Sequence, residues 1–259
     1  MFVHESGPAD APAIVFLHGN GVNGTMWDAH RARLPDYHCL APDFPGFGRS
    51  NAQEWVSIEE SANQVVELIR SRTRDAKAHV VGLSLGGITL IKLLSMAPER
   101  IDHAIVDGAG VLPLAGLPMM KVGFRLMEPF LHRDFVIKLI ARMMHIDGEG
   151  YVQFRQDMLA MSPSSFRRSF IQALSLRQPS GLDQVTCPTL FVAGEKEPKA
   201  VNQSNVMLAQ VMPHARSRMV PGLGHAWGAV EALDLHICMV EAWIQDQPLP
   251  DGLVEVKLV

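Results

Sequence analysis

The stretch HVVGLSLGGITL, residues 79–90, decides the fold. It opens as a β-branched apolar run and closes as an apolar helix. At the joint lie Gly82, Leu83, Ser84, Leu85, Gly86 and Gly87. A strand-to-helix turn alone does not need three glycines. The spacing Gly82-x-Ser84-x-Gly86 instead fits a sharp turn that lifts a serine above a sheet. A serine hydroxyl is a poor nucleophile until a base takes its proton and donors stabilise the oxyanion. Leu85 supplies part of that need, because the first residue of a helix has a free backbone N–H and sits at the positive end of the helix dipole. Ser84 is therefore read as a nucleophile rather than as a turn residue.

Outward from this turn, short apolar runs alternate with helical patterns. AIVFLH (13–18), HCLAPD (38–43), HVVGLS (79–84), HAIVDG (103–108), TLFVAG (189–194) and RSRMVPG (216–222) are predicted strands. Most are continuously apolar, as expected of strands covered on both faces. Ile58 to Arg72, Leu85 to Met96 and Ala226 to Gln245 are predicted helices. The alternation predicts an α/β fold with a mostly parallel sheet. Residues 2–5 are read as an added edge strand, and the C-terminal DGLVEVKLV as either a strand or a tail.

One region breaks the alternation. Residues 112–183 carry helical patterns and no convincing strand, so they are read as a helical insertion in a core made of 1–111 and 184–259. Val136, Leu139, Ile140, Met143 and Met144 form an amphipathic stripe, and Phe166, Phe170 and Leu174 repeat the spacing. The insertion is rich in Met, a residue that adapts to irregular apolar shapes. It is read as an apolar roof, with Met143 and Met144 as candidate pocket residues.

The nucleophile needs a base and an acid. Of eleven histidines, His225 stands out, because GLGHAW (222–227) follows a predicted strand and precedes the last helix. The C-terminal ends of strands are where an open α/β sheet presents chemistry. His18 is read as orienting its loop, and the remaining histidines as packing or surface residues. The acid must hold the imidazole in the right tautomer and stabilise its charged form. Glu197, in GEKEP (194–198), is preferred; Asp107 is the alternative and Glu195 the third choice. Trp27 and Trp227 flank the relevant loops, and each is read as either lining the pocket or stapling its loop.

Composition narrows the class. The chain has 259 residues, 47% apolar and 19% charged, with net charge −4. That supports a sizeable core, and no basic stripe points to nucleic acid. No segment reaches the ~18 uncharged apolar residues of a membrane span. The N-terminal residues lack a secretory signal pattern, and the three cysteines are scattered, so a cytoplasmic location is expected. No dinucleotide fingerprint or zinc motif occurs, so neither cofactor nor metal is expected. No protein partner is readable.

At this point the chain resembles the α/β-hydrolase superfamily. The resemblance rests on HGNG (18–21), DFPGFGRS (43–50), GLSLGG (82–87), GEKEP (194–198) and GLGHAW (222–227), in the family's order. It implies a serine esterase-like member with a helical cap. It further implies Ser84 as nucleophile, His225 as base and Glu197 as acid, with the backbone N–H groups of Asn20 and Leu85 as the oxyanion hole. The family's acid is more often Asp, which keeps Asp107 open. Ser84 disfavours the related branches that use an Asp nucleophile. The expected substrate is a small-molecule ester of small to medium, largely apolar character. Hydrolysis of a carbon–carbon bond in a diketone or ring-cleavage product is the runner-up, with a cap arginine (Arg125, Arg142, Arg155, Arg167 or Arg168) as a candidate carboxylate partner. A slow-turnover ligand receptor is the alternative of another class.

Overall fold

The computed structural model describes residues 1–113, 116–143, 146 and 148–256. Seven strands form one sheet: β1 (Val3–Ser6), β2 (Ala13–Leu17), β3 (His38–Pro42), β4 (Ala78–Leu83), β5 (Ile101–Asp107), β6 (Thr189–Gly194) and β7 (Ala215–Val220). Their order is β1-β3-β2-β4-β5-β6-β7. Only β1 runs antiparallel to its neighbour, pairing Val3 with Pro42; the other pairs are parallel.

The unbroken apolar runs have a direct explanation. Val15 and Leu17 of β2 face one apolar cluster, and Ile14 and Phe16 face another. Ala104 and Val106 of β5 likewise face the first cluster and Ile105 the second. Both faces of the sheet are covered, so successive side chains are all buried. The first cluster includes α2 (Ile58–Arg72) and α3 (Leu85–Met96); α10 (Leu233–Ile244) packs into the second. Ser57 caps α2 by accepting from the Glu60 N–H at 3.0 Å, and acidic Glu59 and Glu60 sit in its first turn.

Three elements differ from the sequence-based expectation. The predicted Ala226–Gln245 helix is two, α9 (Trp227–Val230) and α10. The N–H groups of Glu231 and Ala232 both turn back onto the Trp227 carbonyl and end α9. Gly228 then lets the two helices meet, because a methyl there would stand 2.1 Å from the His236 ring. Secondly, α8 (Lys199–Val211) has no counterpart among the predicted helices. Its inward face carries Asn202, Ser204 and Asn205, so apolar periodicity does not reveal it. The third difference is α1 (Asp28–Ala32), too short to leave a period.

Between β5 and β6 lie α4 (Leu117–Met127), α5 (Asp134–Met143), α6 (Gly148–Ala160) and α7 (Pro163–Ser175). The buried side chains of α5 are Val136, Ile137 and Ala141, whereas Leu139 of the expected stripe is 53% exposed. The Met143 side chain and Met144 lie outside the described residues. Polar ties bind α6 and α7 to the loop after β2. Asn20 Nδ2 donates to Ser169 Oγ at 2.9 Å and Asn23 Nδ2 to Asp157 Oδ1 at 2.8 Å. The C-terminal segment adds one antiparallel bridge, Val254 to Met219. Among the described residues no helix is long and apolar enough to cross a membrane.

Candidate active site

Parallel strands carry their C-terminal ends to one edge of the sheet, and the predicted site residues gather there. Ser84 follows β4 with φ 55° and ψ −110°, a left-handed conformation that costs about 1–3 kcal/mol for a residue with a side chain. Two hydrogen bonds hold it: its N–H donates to the Asp107 carbonyl at 2.9 Å, and its carbonyl accepts from Ile88 at 2.8 Å. The surrounding glycines are sterically required. A methyl at Gly82 would stand 2.5 Å from the Gly86 carbonyl group, and one at Gly86 only 2.1 Å from the Leu17 carbonyl oxygen. One at Gly87 would meet the Ala109 methyl at 2.7 Å. The turn, α3 and strands β2 and β4 are packed backbone to backbone.

The loops after β6 and β7 bring Glu197 and His225 together. His225 Nδ1 lies 2.5 Å from Glu197 Oε1. The Glu197 side chain is 3% exposed and that of His225 39% exposed. A carboxylate can only accept, so Nδ1 carries the proton and Nε2 is left free. Burial pulls the His225 pKa down, but the Glu197 hydrogen bond and the charges of Glu197 and Asp107 outweigh it, and the net shift is upward.

Asp107 is occupied elsewhere. It is 1% exposed; its Oδ1 accepts from Trp227 Nε1 at 3.1 Å, and its Oδ2 lies 3.5 Å from His236 Nε2. Glu195 accepts from the Gly222 N–H at 2.7 Å on the surface. Of the three sequence candidates, Glu197 alone is hydrogen-bonded to His225.

Ser84, His225, Glu197 and Asn20 all line one cavity of about 1020 Å³. Its walls are otherwise largely apolar, with Met120, Phe124, Met127, Ile140, Phe166 and Phe170 from the inserted helices. Among the described residues the Ser84 hydroxyl makes no hydrogen bond, and it meets His225 only as a wall of this cavity. Leu85 opens α3 directly behind Ser84. Asn20 is 9% exposed and its amide is fixed on α7 by Ser169 Oγ and the Phe166 carbonyl.

Two expectations about the pocket are corrected. Trp27 and Trp227 are buried in the second apolar cluster and do not line the cavity. Each sits beside a site loop, but on the sheet side of it. None of Arg125, Arg142, Arg155, Arg167 or Arg168 lines it either. Arg155 pairs with Asp134 at 2.8 Å, Arg167 with Glu128, and Arg168 with Glu54 at 3.8 Å. Lys196, which the motif reading passed over, is the lysine on the cavity rim.

His18 is fully buried. Its Nε2 accepts from the Phe44 N–H at 2.9 Å, so the Nδ1 proton points to the Gly19 carbonyl at 2.7 Å. Burial pushes its pKa down to about 4, which leaves it neutral and able to join the loops after β2 and β3. Among the described residues no cluster of His, Cys, Asp or Glu is placed to hold a metal ion.

A family model described as the alpha/beta hydrolase family matches residues 14–234. Among similar curated proteins, a pimeloyl-[acyl-carrier protein] methyl ester esterase of Pectobacterium carotovorum is 37% identical over 232 residues, covering 82% of this chain and 87% of its own. A 2-hydroxy-6-oxononadienedioate/2-hydroxy-6-oxononatrienedioate hydrolase of Cupriavidus pinatubonensis is 24% identical over 237 residues, covering 84% and 81%. The solved structure of an enol-lactonase from Burkholderia xenovorans has a TM-score of 0.79 at 19% identity, over 94% of this chain and 96% of that one. That last likeness is one of fold.

Proposed function

The chain belongs to the alpha/beta hydrolase family, and within it we propose a serine hydrolase of carboxylic esters with small to medium, largely apolar groups. Ser84 Oγ attacks the ester carbonyl as His225 Nε2 takes its proton. The N–H groups of Asn20 and Leu85 stabilise the oxyanion. Collapse forms the acyl-enzyme and releases the alcohol, which receives the proton from His225. Water, deprotonated by the same nitrogen, then frees the acid and restores Ser84. Glu197 keeps the imidazole in the tautomer that leaves Nε2 unprotonated. Residues 112–183 serve as the cap that shapes the apolar half of the pocket.

The observation that carries this reading is the 2.5 Å His225–Glu197 contact opening, with Ser84, onto one largely apolar cavity. A second reading, carbon–carbon bond hydrolysis, is favoured by the similarity to the oxononadienedioate hydrolase. On that reading Lys196, rather than a cap arginine, is the cavity cation available to a substrate carboxylate.

Hydrolysis of p-nitrophenyl esters from acetate to laurate tests the proposal. Turnover of the shorter esters is expected, with a loss of about 10⁴-fold or more in a folded Ser84→Ala variant. Equal rates in the two proteins would overturn it. Inertness to every ester, with turnover of a vinylogous 1,5-diketone, would favour the second reading.

A further inference from the structure

We propose that Asp107 is a positioning residue for Ser84, His225 and Glu197, itself held by a buried pair of histidines, His236 and His30. This rests on the reading of His225 as the base.

Asp107 and its neighbour touch all three parts of the site. The Asp107 carbonyl receives the Ser84 N–H at 2.9 Å, which fixes the nucleophile turn to the end of β5. Its Oδ1 receives the indole N–H of Trp227, two residues beyond His225, at 3.1 Å. That bond anchors the start of α9 and so the loop that carries the base. Gly108, with φ +57°, then passes so close to the base–acid pair that a methyl would stand 2.9 Å from Glu197 Oε1 and 3.1 Å from His225 Nδ1. The three loops converge on two consecutive residues.

The histidines explain how a carboxylate is kept in this core. Unpartnered, it would be costly to bury. Asp107 Oδ2 lies 3.5 Å from His236 Nε2, and His236 Nδ1 lies 3.0 Å from His30 Nε2. His30, His236 and Asp107 are 0%, 1% and 1% exposed. Burial, aided by His236 and Arg33, pushes the His30 pKa down to about 3, so this ring is neutral. A carboxylate only accepts, so the His236 proton facing it sits on Nε2. In the tautomer with that proton on Nε2, His236 Nδ1 accepts the His30 Nε2–H at 3.0 Å. The His30–His236 hydrogen bond and the 3.5 Å approach of His236 both lie on the Oδ2 side of Asp107, and the other oxygen accepts from Trp227. Trp27 packs edge-on to His30 at 4.8 Å and Trp227 packs on His236 at 5.0 Å, so the rings have little room to turn.

Charged and titratable groups facing His225 are Glu197 and Asp107, with Lys196 and Glu231 on the cavity rim. Asp107→Asn keeps the shape and removes the charge. The test is a kcat and KM profile of the full chain on p-nitrophenyl butyrate across pH 5–9. For Asp107→Asn the expected result is kcat about tenfold lower, KM within about twofold, and an acid limb of kcat/KM moved to lower pH. Trp227→Phe removes the donor but keeps the ring; kcat should fall similarly with the acid limb in place. Wild-type kcat and acid limb in a folded Asp107→Asn, while Ser84→Ala is inactive, overturn the proposal. If Asp107→Asn does not fold, wild-type kcat in Trp227→Phe overturns it. Retained activity in Ser84→Ala would instead sink the reading of the site on which it rests.

Discussion

Two buried carboxylates stand at the ends of adjacent strands, Asp107 on β5 and Glu197 just beyond β6. Both lie near His225, and both sit where an acid of the proposed triad would be sought. They differ in what occupies their oxygens. Glu197 reaches the imidazole at 2.5 Å, whereas Asp107 is committed to an indole N–H and a second histidine. The difference teaches that a carboxylate's role is set by which donor reaches it first. The extra methylene of Glu lets the residue after β6 cover a distance that Asp107, locked in the ladder opposite Leu83 and Val192, does not cover. A third buried carboxylate, Asp157 on α6, meets only neutral amides, Asn23 Nδ2 at 2.8 Å and Gln153 Nε2 at 2.9 Å.

The sharpest way to break this comparison is Glu197→Gln. It should lower kcat by about 10⁴-fold, because an amide supports the wrong tautomer of His225. A loss no greater than that of Asp107→Asn would mean that the two positions have been assigned the wrong way round. Next in size is Gly108→Ala, which drives a methyl into the Glu197–His225 contact and strains a positive φ. A fall in kcat on the order of 10²-fold is expected, as for a displacement of about an ångström. A near-wild-type rate would show that the pair has slack.

The pH dependence sharpens the picture further. As the proposed base, His225 would work deprotonated and its pKa is raised, so kcat/KM should fall as pH drops through a value above the ordinary 6.5. In Glu197→Gln that limb should move to lower pH. The smallest effect concerns stability and Asp157, whose carboxyl burial pushes up to about 6 from 3.8. A raised folded-state pKa gives stability that is complete below the unfolded value and lost as pH rises through about 6. Urea unfolding should therefore show Asp157→Asn gaining on the order of 2 kcal/mol over wild type at pH 8, a gap that closes by pH 4. An unchanged gap would mean that the carboxylate is better solvated than its surroundings imply.

Legibility in the sequence followed the range of the forces involved. The turn around Ser84 is readable because its glycines answer clashes within a few residues, such as Gly82 against Gly86. The parallel sheet is readable because burial on both faces leaves continuous apolar runs. Glu197 could not be separated from Asp107, since that choice depends on how far two loops reach across the sheet edge. Trp27 and Trp227 flank the right loops, yet neighbours in sequence do not say on which side of a loop a ring will pack. The α8 helix escaped because Asn202, Ser204 and Asn205 fill three of its four buried positions, and the His30–His236 pair because its members are 206 residues apart and neither belongs to a motif. The pocket-lining side of α4 was equally hidden, whereas the stripe read on α5 includes Leu139 and Ile140, which line the cavity.

The ties between the loop after β2 and the inserted helices bear on how such a molecule diversifies. Asn20, proposed as an oxyanion donor, has its side chain bonded to α7, and Asn23 is bonded to α6. Gly21 lies between Phe154, Phe166 and Met158, with room for a methyl at 3.5 Å and little more. The inserted helices and the loop after β2 are therefore mechanically coupled. A replacement of residues 112–183 that lacks Ser169 and Asp157 would leave Asn20 and Asn23 without those side-chain partners. A chimera that carries residues 18–24 along with the helices they grip is therefore expected to keep these ties.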